Sequence, residues 1–175
     1  MEKNIEELIE QFIKEIGKDF NILKYAYNNS EFIEGETPIY YSGPYWNSQE
    51  ITAAIKSLIV GSWLSSGEQV EKFEEEFSKR FFQKFSVMVN SGSSANLLLI
   101  SALKKVLNWN DGDEIILSVV GFPTTLSPIV INNLKPVFID IEFDTLNFDL
   151  NQIESKITDK TKAIFLSPVL GNPCN

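Results

Sequence analysis

Short apolar runs alternate with helical stretches over the second half of the chain. The runs are FSVMV at 85–89, EIILSVV at 114–120, KPVFIDI at 135–141 and TKAIFL at 161–166, and each is typical of a strand. The segments between them are rich in helical spacing or begin with a capping residue. Strands that alternate with helices favour a mainly parallel sheet, because parallel neighbours need a crossover connection. The sequence therefore predicts an α/β domain with flanking helices.

The first part of the chain shows a different pattern. Apolar residues at helical spacing predict an N-terminal helix that stops at Gly17, and residues 18–46 are irregular. Asn47 and Glu50 resemble a capping box that starts a helix ending near Gly61. A further helix carries Val70, Phe73, Phe77 and Phe81. We therefore assign residues 1–46 to a helix and extended lead-in, and residues 47–175 to the α/β domain.

Composition limits the function classes that are open to this chain. Its 175 residues are 43% hydrophobic, enough for a real core, and a net charge of −9 argues against nucleic acid as the main partner. Histidine is absent, which excludes Ser–His and Cys–His catalysis and histidine metal sites from within the chain. The single Cys174 suits a reducing compartment. With no signal-peptide pattern and no apolar run of bilayer length, we expect a cytoplasmic protein without a membrane partner.

The segment SGSSAN at 91–96 lies between an apolar run and a helix. The first amides of a helix lack intrahelical acceptors, so Gly92 and the hydroxyls of Ser91, Ser93 and Ser94 suit an anion such as a phosphate. An ordinary capped helix start explains the same residues equally well. The glycine spacing matches neither a Walker loop nor a dinucleotide fingerprint.

Other candidate residues are weaker taken one at a time. Phe122 in GFPTT follows the next strand, where it either stacks on a flat ring or fills the core. Trp63 either rims a pocket or fills a gap. Asp140 with Glu142 and Asp144 is more simply a set of solvated loop charges than a metal site. The chain stops directly after a strand, so we expect it to be incomplete at its C-terminus.

The order of these segments along the chain is more specific than any single segment. VMVNSGSSANLLLISAL, GDEIILSVVGFPTT, NLKPVFIDIEFDTLNFDL and TDKTKAIFLSPVLGNP together resemble the DegT/DnrJ/EryC1/StrS family, over roughly Tyr45 to Asn175. The resemblance implies a fold-type I, pyridoxal-phosphate-dependent transferase large domain that acts on nucleotide-linked keto-sugars. SGSSANLLL, GFPTT and LGNP look most like the sugar 3-dehydrases of lipopolysaccharide biosynthesis, of the CDP-4-keto-6-deoxy-D-glucose type. Those enzymes place His-Thr before LGNP, whereas this chain has Ser167–Val169.

The resemblance also implies roles for particular residues. Gly92 and Ser93 would bind the phosphate of pyridoxal or pyridoxamine 5′-phosphate, Ser94 would be a weaker member of the same site, and Phe122 would stack on the pyridine ring. Trp63 is a weak candidate for substrate contact. The Schiff-base lysine, or the histidine that replaces it in the 3-dehydrases, would lie downstream of this chain. A [2Fe-2S] cluster accompanies some relatives, but Cys174 alone is no evidence for one.

Three functions follow as expectations. The first is removal of the C3 hydroxyl from a nucleotide-linked 4-keto-6-deoxy sugar by a homodimeric enzyme. The second is a sugar-nucleotide aminotransferase of the same family. The third, from another class, is a non-catalytic truncated fragment that retains only a subunit interface. For the chain by itself we expect no turnover, weak cofactor retention and a tendency to aggregate through exposed strand edges.

Overall fold

The structure is a computed structural model, and it describes residues 2–19, 31–39, 42–63, 65–168 and 171–174. The chain forms two compact units, Met1–Val87 and Met88–Asn175. The helices and strands, in chain order, are α1 (Glu2–Asp19), α2 (Ser48–Val60), α3 (Glu68–Arg80), α4 (Gly92–Val106), β1 (Glu114–Ser118), α5 (Pro123–Ile131), β2 (Lys135–Ile139), α6 (Leu150–Lys156) and β3 (Thr161–Phe165).

The first unit contains the helices predicted from apolar spacing. Helix α1 buries Ile9 and Ile13 and continues past Gly17, the predicted stop, to Asp19. The Lys56 Nζ of α2 donates to Glu6 Oε1 of α1 at 2.6 Å, and the two helices pack together. Residues 20–30 and 40–41 of the predicted lead-in lie outside the described residues, and residues 31–39 and 42–46 form neither helix nor strand.

The predicted capping box at the start of α2 is confirmed. The Asn47 side chain accepts from the Gln49 amide at 2.7 Å, and the Asn47 amide donates to Glu50 Oε2 at 2.6 Å. The helix ends at Val60, where Gly61 is the C-cap, as the sequence predicts. Reciprocal capping satisfies amides that a helix start otherwise leaves without partners, so this short motif alone locates the helix.

The second unit is built on a parallel three-stranded sheet of order β2-β1-β3. Strand β1 is central, and its Ile115 and Leu117 join Ile129 of α5 in the cluster under α4 and α5. Ile116 points to the opposite face, where it packs with Phe148. This alternation follows from the two-residue period of a strand, and burial on both faces explains why β1 is a continuous apolar run.

Charged residues join the strands at the amino end of the sheet. Glu114 of β1 is 5% exposed, and its carboxylate accepts from Lys135 Nζ of β2 at 2.9 Å and from Thr158 Oγ1 at 2.6 Å. The hydrogen bond from Lys135, followed by that from Thr158, lowers the pKa of Glu114 below its ordinary value. Polar contacts therefore hold the amino end of the sheet together. The loops that follow the strands begin at the opposite, carboxyl end.

One predicted strand is wrong. Residues 85–89 are not assigned to any strand, and Phe85 and Val87 are 77% and 71% exposed. In the described part of the chain, β1 already has a neighbour on each side, and no further strand pairs with this run. A strand exists only through its ladder of hydrogen bonds to a partner, so an apolar run by itself is not sufficient.

The predicted fold class is confirmed for the second unit. Its strands are parallel, helices flank the sheet, and α4, α5 and α6 fall between or before strands as the alternation predicts. None of the helices that the structure describes combines the length and the apolar character that a bilayer crossing requires.

Candidate functional site

Helices α4 and α5 lie side by side and point in the same direction. Near their starts, Asn96 Nδ2 donates to the Thr124 carbonyl at 3.2 Å. Near their ends, Lys104 Nζ donates to the Asn132 carbonyl at 2.6 Å. Both contacts join residues 28 positions apart, so the two helices are parallel and start and end at matching levels. Their N-termini therefore lie next to each other.

The two N-termini lie at the carboxyl edge of the sheet. Helix α5 begins at Pro123, a few residues after β1 ends at Ser118, so its N-terminus stands at the carboxyl end of β1. Ligands of open α/β sheets bind at this edge, because the loops that follow the strands converge there. The structure thus brings the SGSSAN and GFPTT segments to one place.

The start of α4 is a set of hydrogen-bond donors. Ser91 is the N-cap, and its hydroxyl accepts from the Ser94 amide at 3.2 Å. Ser91 Oγ also donates to Ser94 Oγ at 3.1 Å. The amides of Gly92 and Ser93, the first two of the helix, have no intrahelical acceptor. The first turn of α4 carries no acidic residue.

Gly92 is exposed and faces open space. A Cβ built on Gly92 meets no atom within 4 Å, and its φ is not in the left-handed region. Neither packing nor backbone strain in the described residues therefore requires glycine at this position. The missing side chain leaves room for a ligand to approach the backbone closely at this helix start.

Phe122 is the N-cap of α5 and does not belong to the core. Its ring is 68% exposed, and its carbonyl accepts from the Thr125 amide at 2.9 Å. Pro123 occupies the first helical position, where a missing amide hydrogen has no cost. The alternative in which Phe122 fills the core is therefore wrong for the described structure, and the ring faces solvent at the carboxyl edge.

A small cavity of about 90 Å³ opens beside Phe122. It lies between the β1–α5 connection and the ends of β2 and β3, and its lining includes Ser118, Gly121, Phe138, Phe165 and Ser167. The Ser118 hydroxyl accepts from the Val120 amide at 3.1 Å, which shapes the turn that leads to Phe122. Sequence reasoning did not single out Ser118 or Ser167 as site residues, although Ser167 begins the Ser167–Val169 departure from the family pattern.

The chain segment after β3 is held against the loop that follows β2. Asn172 Nδ2 donates to the Thr145 carbonyl at 2.8 Å, and Asn147 Nδ2 donates to the Pro173 carbonyl at 3.1 Å. Cys174 packs against the apolar cluster on this face of the sheet. Leu170, the first residue of the predicted LGNP motif, lies outside the described residues.

The remaining candidates are Trp63 and the acidic residues that follow β2. Trp63 lies in the first unit and is 78% exposed, and its role in substrate contact stays a prediction. The Glu142 carboxylate accepts from Thr145 Oγ1 at 3.1 Å within its own loop. Across the described residues, no three acidic, cysteine or histidine side chains gather in a cluster that would hold a metal ion.

The residues at the carboxyl edge fit a phosphorylated aromatic ligand. The start of α4 offers amides and hydroxyls and no carboxylate, which is the donor set that a phosphate requires. The adjoining Phe122 offers an exposed aromatic face, which a flat heterocycle can contact by offset stacking. Both features are present on neighbouring helix starts, so one ligand is able to use both.

Comparison with known proteins identifies relatives of this arrangement. The chain is 43% identical over 130 residues to GDP-4-keto-6-deoxy-D-mannose 3-dehydratase from Yersinia pseudotuberculosis, covering 73% of this chain and 33% of that protein. It is 32% identical over 178 residues to the lipopolysaccharide biosynthesis protein RfbH from Salmonella typhimurium, covering 98% of this chain and 39% of that protein. The chain thus spans about a third of the length of the curated relatives it matches.

A solved structure is similar in fold to this chain. It is the Escherichia coli GDP-4-keto-6-deoxy-D-mannose-3-dehydratase with bound hydrated PLP, which is 40% identical, covers 68% of this chain and 31% of its own, and has a TM-score of 0.63. The model of the DegT/DnrJ/EryC1/StrS aminotransferase family matches residues 46–175, the part of the chain that includes the whole parallel sheet and both helix starts. By sequence and by fold, the chain belongs to the DegT/DnrJ/EryC1/StrS aminotransferase family.

Proposed function

We propose that residues 47–175 form the N-terminal part of the cofactor-binding domain of a cytoplasmic sugar-nucleotide 3-dehydratase. Residues 1–46 would precede this domain as an N-terminal helix and extended lead-in. The single observation that carries the proposal is the pairing of a donor-only helix start at Gly92 with the exposed ring of Phe122 at one sheet edge. The relatives named above, at 43% and 40% identity, support the dehydratase assignment.

In this proposal each residue has a binding task. The amides of Gly92 and Ser93 and the hydroxyl of Ser93 donate to the phosphate of pyridoxal or pyridoxamine 5′-phosphate. Ser94, already bonded to Ser91, contributes less. Phe122 packs on the ring and excludes water from one of its faces. When bound, the cofactor supplies an electron sink for loss of the C3 hydroxyl of a nucleotide-linked 4-keto-6-deoxy sugar.

The helix starts also explain why this edge suits an anionic cofactor. Amides without acceptors and the α-helix dipole place partial positive charge where the phosphate would lie. The chain as a whole carries a net charge of −9, so attraction of an anion must come from such local groups. The proposed assembly is a homodimer that acts on a nucleotide-linked keto-sugar. The single cysteine of this chain gives no support to an iron–sulfur cluster, which would need cysteine ligands elsewhere in the complete gene product.

The family description itself favours one alternative, a sugar-nucleotide aminotransferase built on the same domain. A lysine that binds the cofactor covalently separates aminotransferases from dehydratases, and the described residues do not include that position. A non-catalytic fragment that keeps only a subunit interface is the alternative of another class. These three functions differ in what the complete gene product does with the cofactor.

The test is a binding experiment on the complete gene product. The protein is mixed with pyridoxal 5′-phosphate, its absorbance is scanned, and it is treated with borohydride and analysed by mass spectrometry. Bound cofactor without a covalent adduct is the expected result. A covalent adduct would indicate the aminotransferase, and absence of any bound cofactor would leave only the non-catalytic fragment.

A matched pair of variants connects the test to the described residues. Phe122→Leu removes the aromatic face but keeps an apolar side chain, and we expect cofactor affinity to fall by about fivefold to tenfold, the factor for loss of one aromatic contact. Phe143→Leu is the control, because Phe143 is 92% exposed and is not among the residues that line the cavity. Equal affinities for the two variants would contradict the role of Phe122.

A further inference from the structure

Asn96 lies at the point where the two parts of the candidate site meet. It belongs to the second turn of α4, after Gly92 and Ser93, and it is only partly exposed. Its amide nitrogen donates across to the carbonyl of Thr124 at 3.2 Å. Thr124 follows Phe122 and Pro123 in the first turn of α5. One hydrogen bond thus connects the phosphate-facing helix start to the ring-facing helix start.

The residue type at position 96 is unusual for its surroundings. Ala95 and Leu97–Leu99 flank it, and asparagine is a poor residue in a helix interior because its amide competes for backbone bonds. In this structure the amide is used on a neighbouring helix, not on its own. An asparagine at this position lowers the helix propensity of α4, but its hydrogen bond fixes the position of α4 relative to α5. This indicates a role for Asn96 beyond helix formation.

The contact at the other end of the pair provides a comparison. Lys104 donates to the Asn132 carbonyl at 2.6 Å and forms an ion pair with Asp111. It therefore joins α4 to α5 as Asn96 does, but at the ends of the helices that lie away from the carboxyl edge. A comparison of variants at Asn96 and Lys104 therefore separates a general contribution to helix packing from a specific effect on the site.

We propose that Asn96 is a positioning residue, which sets the distance between the phosphate donors at Gly92 and Ser93 and the ring of Phe122. A ligand that contacts both helix starts then binds without moving them. The affinity of a ligand that contacts only one helix start does not depend on the Asn96–Thr124 hydrogen bond. This inference rests on the proposed function, since it assumes that pyridoxal 5′-phosphate occupies the edge.

The experiment compares two probes on the complete gene product. The affinity for pyridoxal 5′-phosphate depends on the phosphate donors and the ring of Phe122 together. The affinity for inorganic phosphate depends on the phosphate donors alone. The variants are Asn96→Ala, Asn96→Leu, which keeps the branched shape at Cγ without a donor, and Lys104→Met as the matched control. Thermal unfolding of each variant measures whether it remains folded.

For both Asn96 variants we expect affinity for pyridoxal 5′-phosphate to fall by about fivefold, the factor for one hydrogen bond. Affinity for inorganic phosphate should change by less than about twofold in both. Lys104→Met should lower the unfolding temperature and leave both affinities unchanged. A visible-range absorbance shift of the bound cofactor in the Asn96 variants would report the altered contact with the ring.

Other outcomes overturn the inference in distinguishable ways. An equal loss of affinity for both probes would mean that Asn96 only stabilises α4. A loss in Asn96→Ala but not in Asn96→Leu would assign the effect to packing. Unchanged affinity in both variants, with normal binding by the unmodified protein, overturns the inference alone. An unmodified protein that binds phosphate but no pyridoxal 5′-phosphate overturns the proposed function as well.

Discussion

The Glu114 carboxylate accepts a hydrogen bond from Lys135 Nζ at 2.9 Å, which joins the amino ends of β1 and β2. Because this bond and the one from Thr158 favour the charged form, the pKa of Glu114 lies below its ordinary value of 4.5 in the folded chain. A carboxyl with a lowered folded pKa stabilises the fold at pH above its unfolded value. That stability is lost as the pH falls through the folded value.

The pH dependence of the free energy of unfolding tests this contact. We expect stability to fall as the pH is lowered below 4.5, and Glu114→Gln to fall less steeply over the same interval. The measurement is urea denaturation at a series of pH values. Glu154→Gln, which removes an exposed carboxylate from α6, is the control. Parallel curves for the unmodified chain and Glu114→Gln would show that Glu114 does not contribute.

Helix α5 should depend strongly on the buried side chain of Ile129. Ile129 is 0% exposed under α4, whereas Ile131 on the same helix is 64% exposed. Ile129→Ala leaves a cavity and should cost about 2–5 kcal/mol of unfolding free energy. Ile131→Ala should change it by less than about 0.5 kcal/mol. Denaturant midpoints measure both, and similar losses would contradict the assigned core.

The cap of α4 should be separable from its ligand-facing donors. Ser91→Ala removes the acceptor for the Ser94 amide and should cost about 1 kcal/mol of unfolding free energy. Ser93→Ala removes a hydroxyl that caps nothing and should cost less than about 0.5 kcal/mol. Thermal unfolding of the two variants checks this. If Ser93→Ala proved the more destabilising, the assignment of Ser91 as the cap would be incorrect.

Asn147 should protect the only thiol of the chain. Its amide holds the Pro173 carbonyl at 3.1 Å, next to Cys174, and Cys174 Sγ donates to Asn147 Oδ1 at 3.5 Å. Asn147→Ala removes both of these hydrogen bonds and should raise the rate of Cys174 alkylation by at least about fivefold, the factor for one of them. Iodoacetamide labelling followed by mass spectrometry gives the rate. Asn151→Ala is the control. An equal rise of the Cys174 alkylation rate in that variant would contradict the protective role of Asn147.

The helices and three of the strands could be predicted because their signals are local. The capping box of Asn47 and Glu50 acts within three residues. Asp149, the N-cap of α6, accepts from the Asn151 amide at 3.0 Å, so in both cases the sequence contains the whole interaction. Strand β1 is recognisable because burial on both faces makes it continuously apolar. The run at 85–89 has a similar composition, but a strand also needs a partner, and composition does not contain that information.

The candidate site could be predicted in part for the same reason. GFPTT follows β1, so the expectation that Phe122 lies at the carboxyl edge needed only the strand order of an α/β fold. The expectation for Ser91–Ser94 rested on a strand at 85–89 that the structure does not contain, and the contact between Asn96 and Thr124 locates this helix start instead. Asn96 was missed because its partner is 28 residues away and is a backbone carbonyl, which no motif marks. The exposure of Phe122 also required the structure, since aromatic residues are more often buried.

The order in which the sheet forms follows from the spacing of its strands. Glu114 meets Lys135 at a separation of 21 residues, but it meets Thr158 at a separation of 44. The entropy cost of closing a loop rises by about 0.6 kcal/mol for each doubling of its length, so the pairing of β1 with β2 is the cheaper one to nucleate. We therefore expect α4, β1, α5 and β2 to assemble first on a growing nascent chain. The two helix starts can meet at the carboxyl edge before β3 has been synthesised.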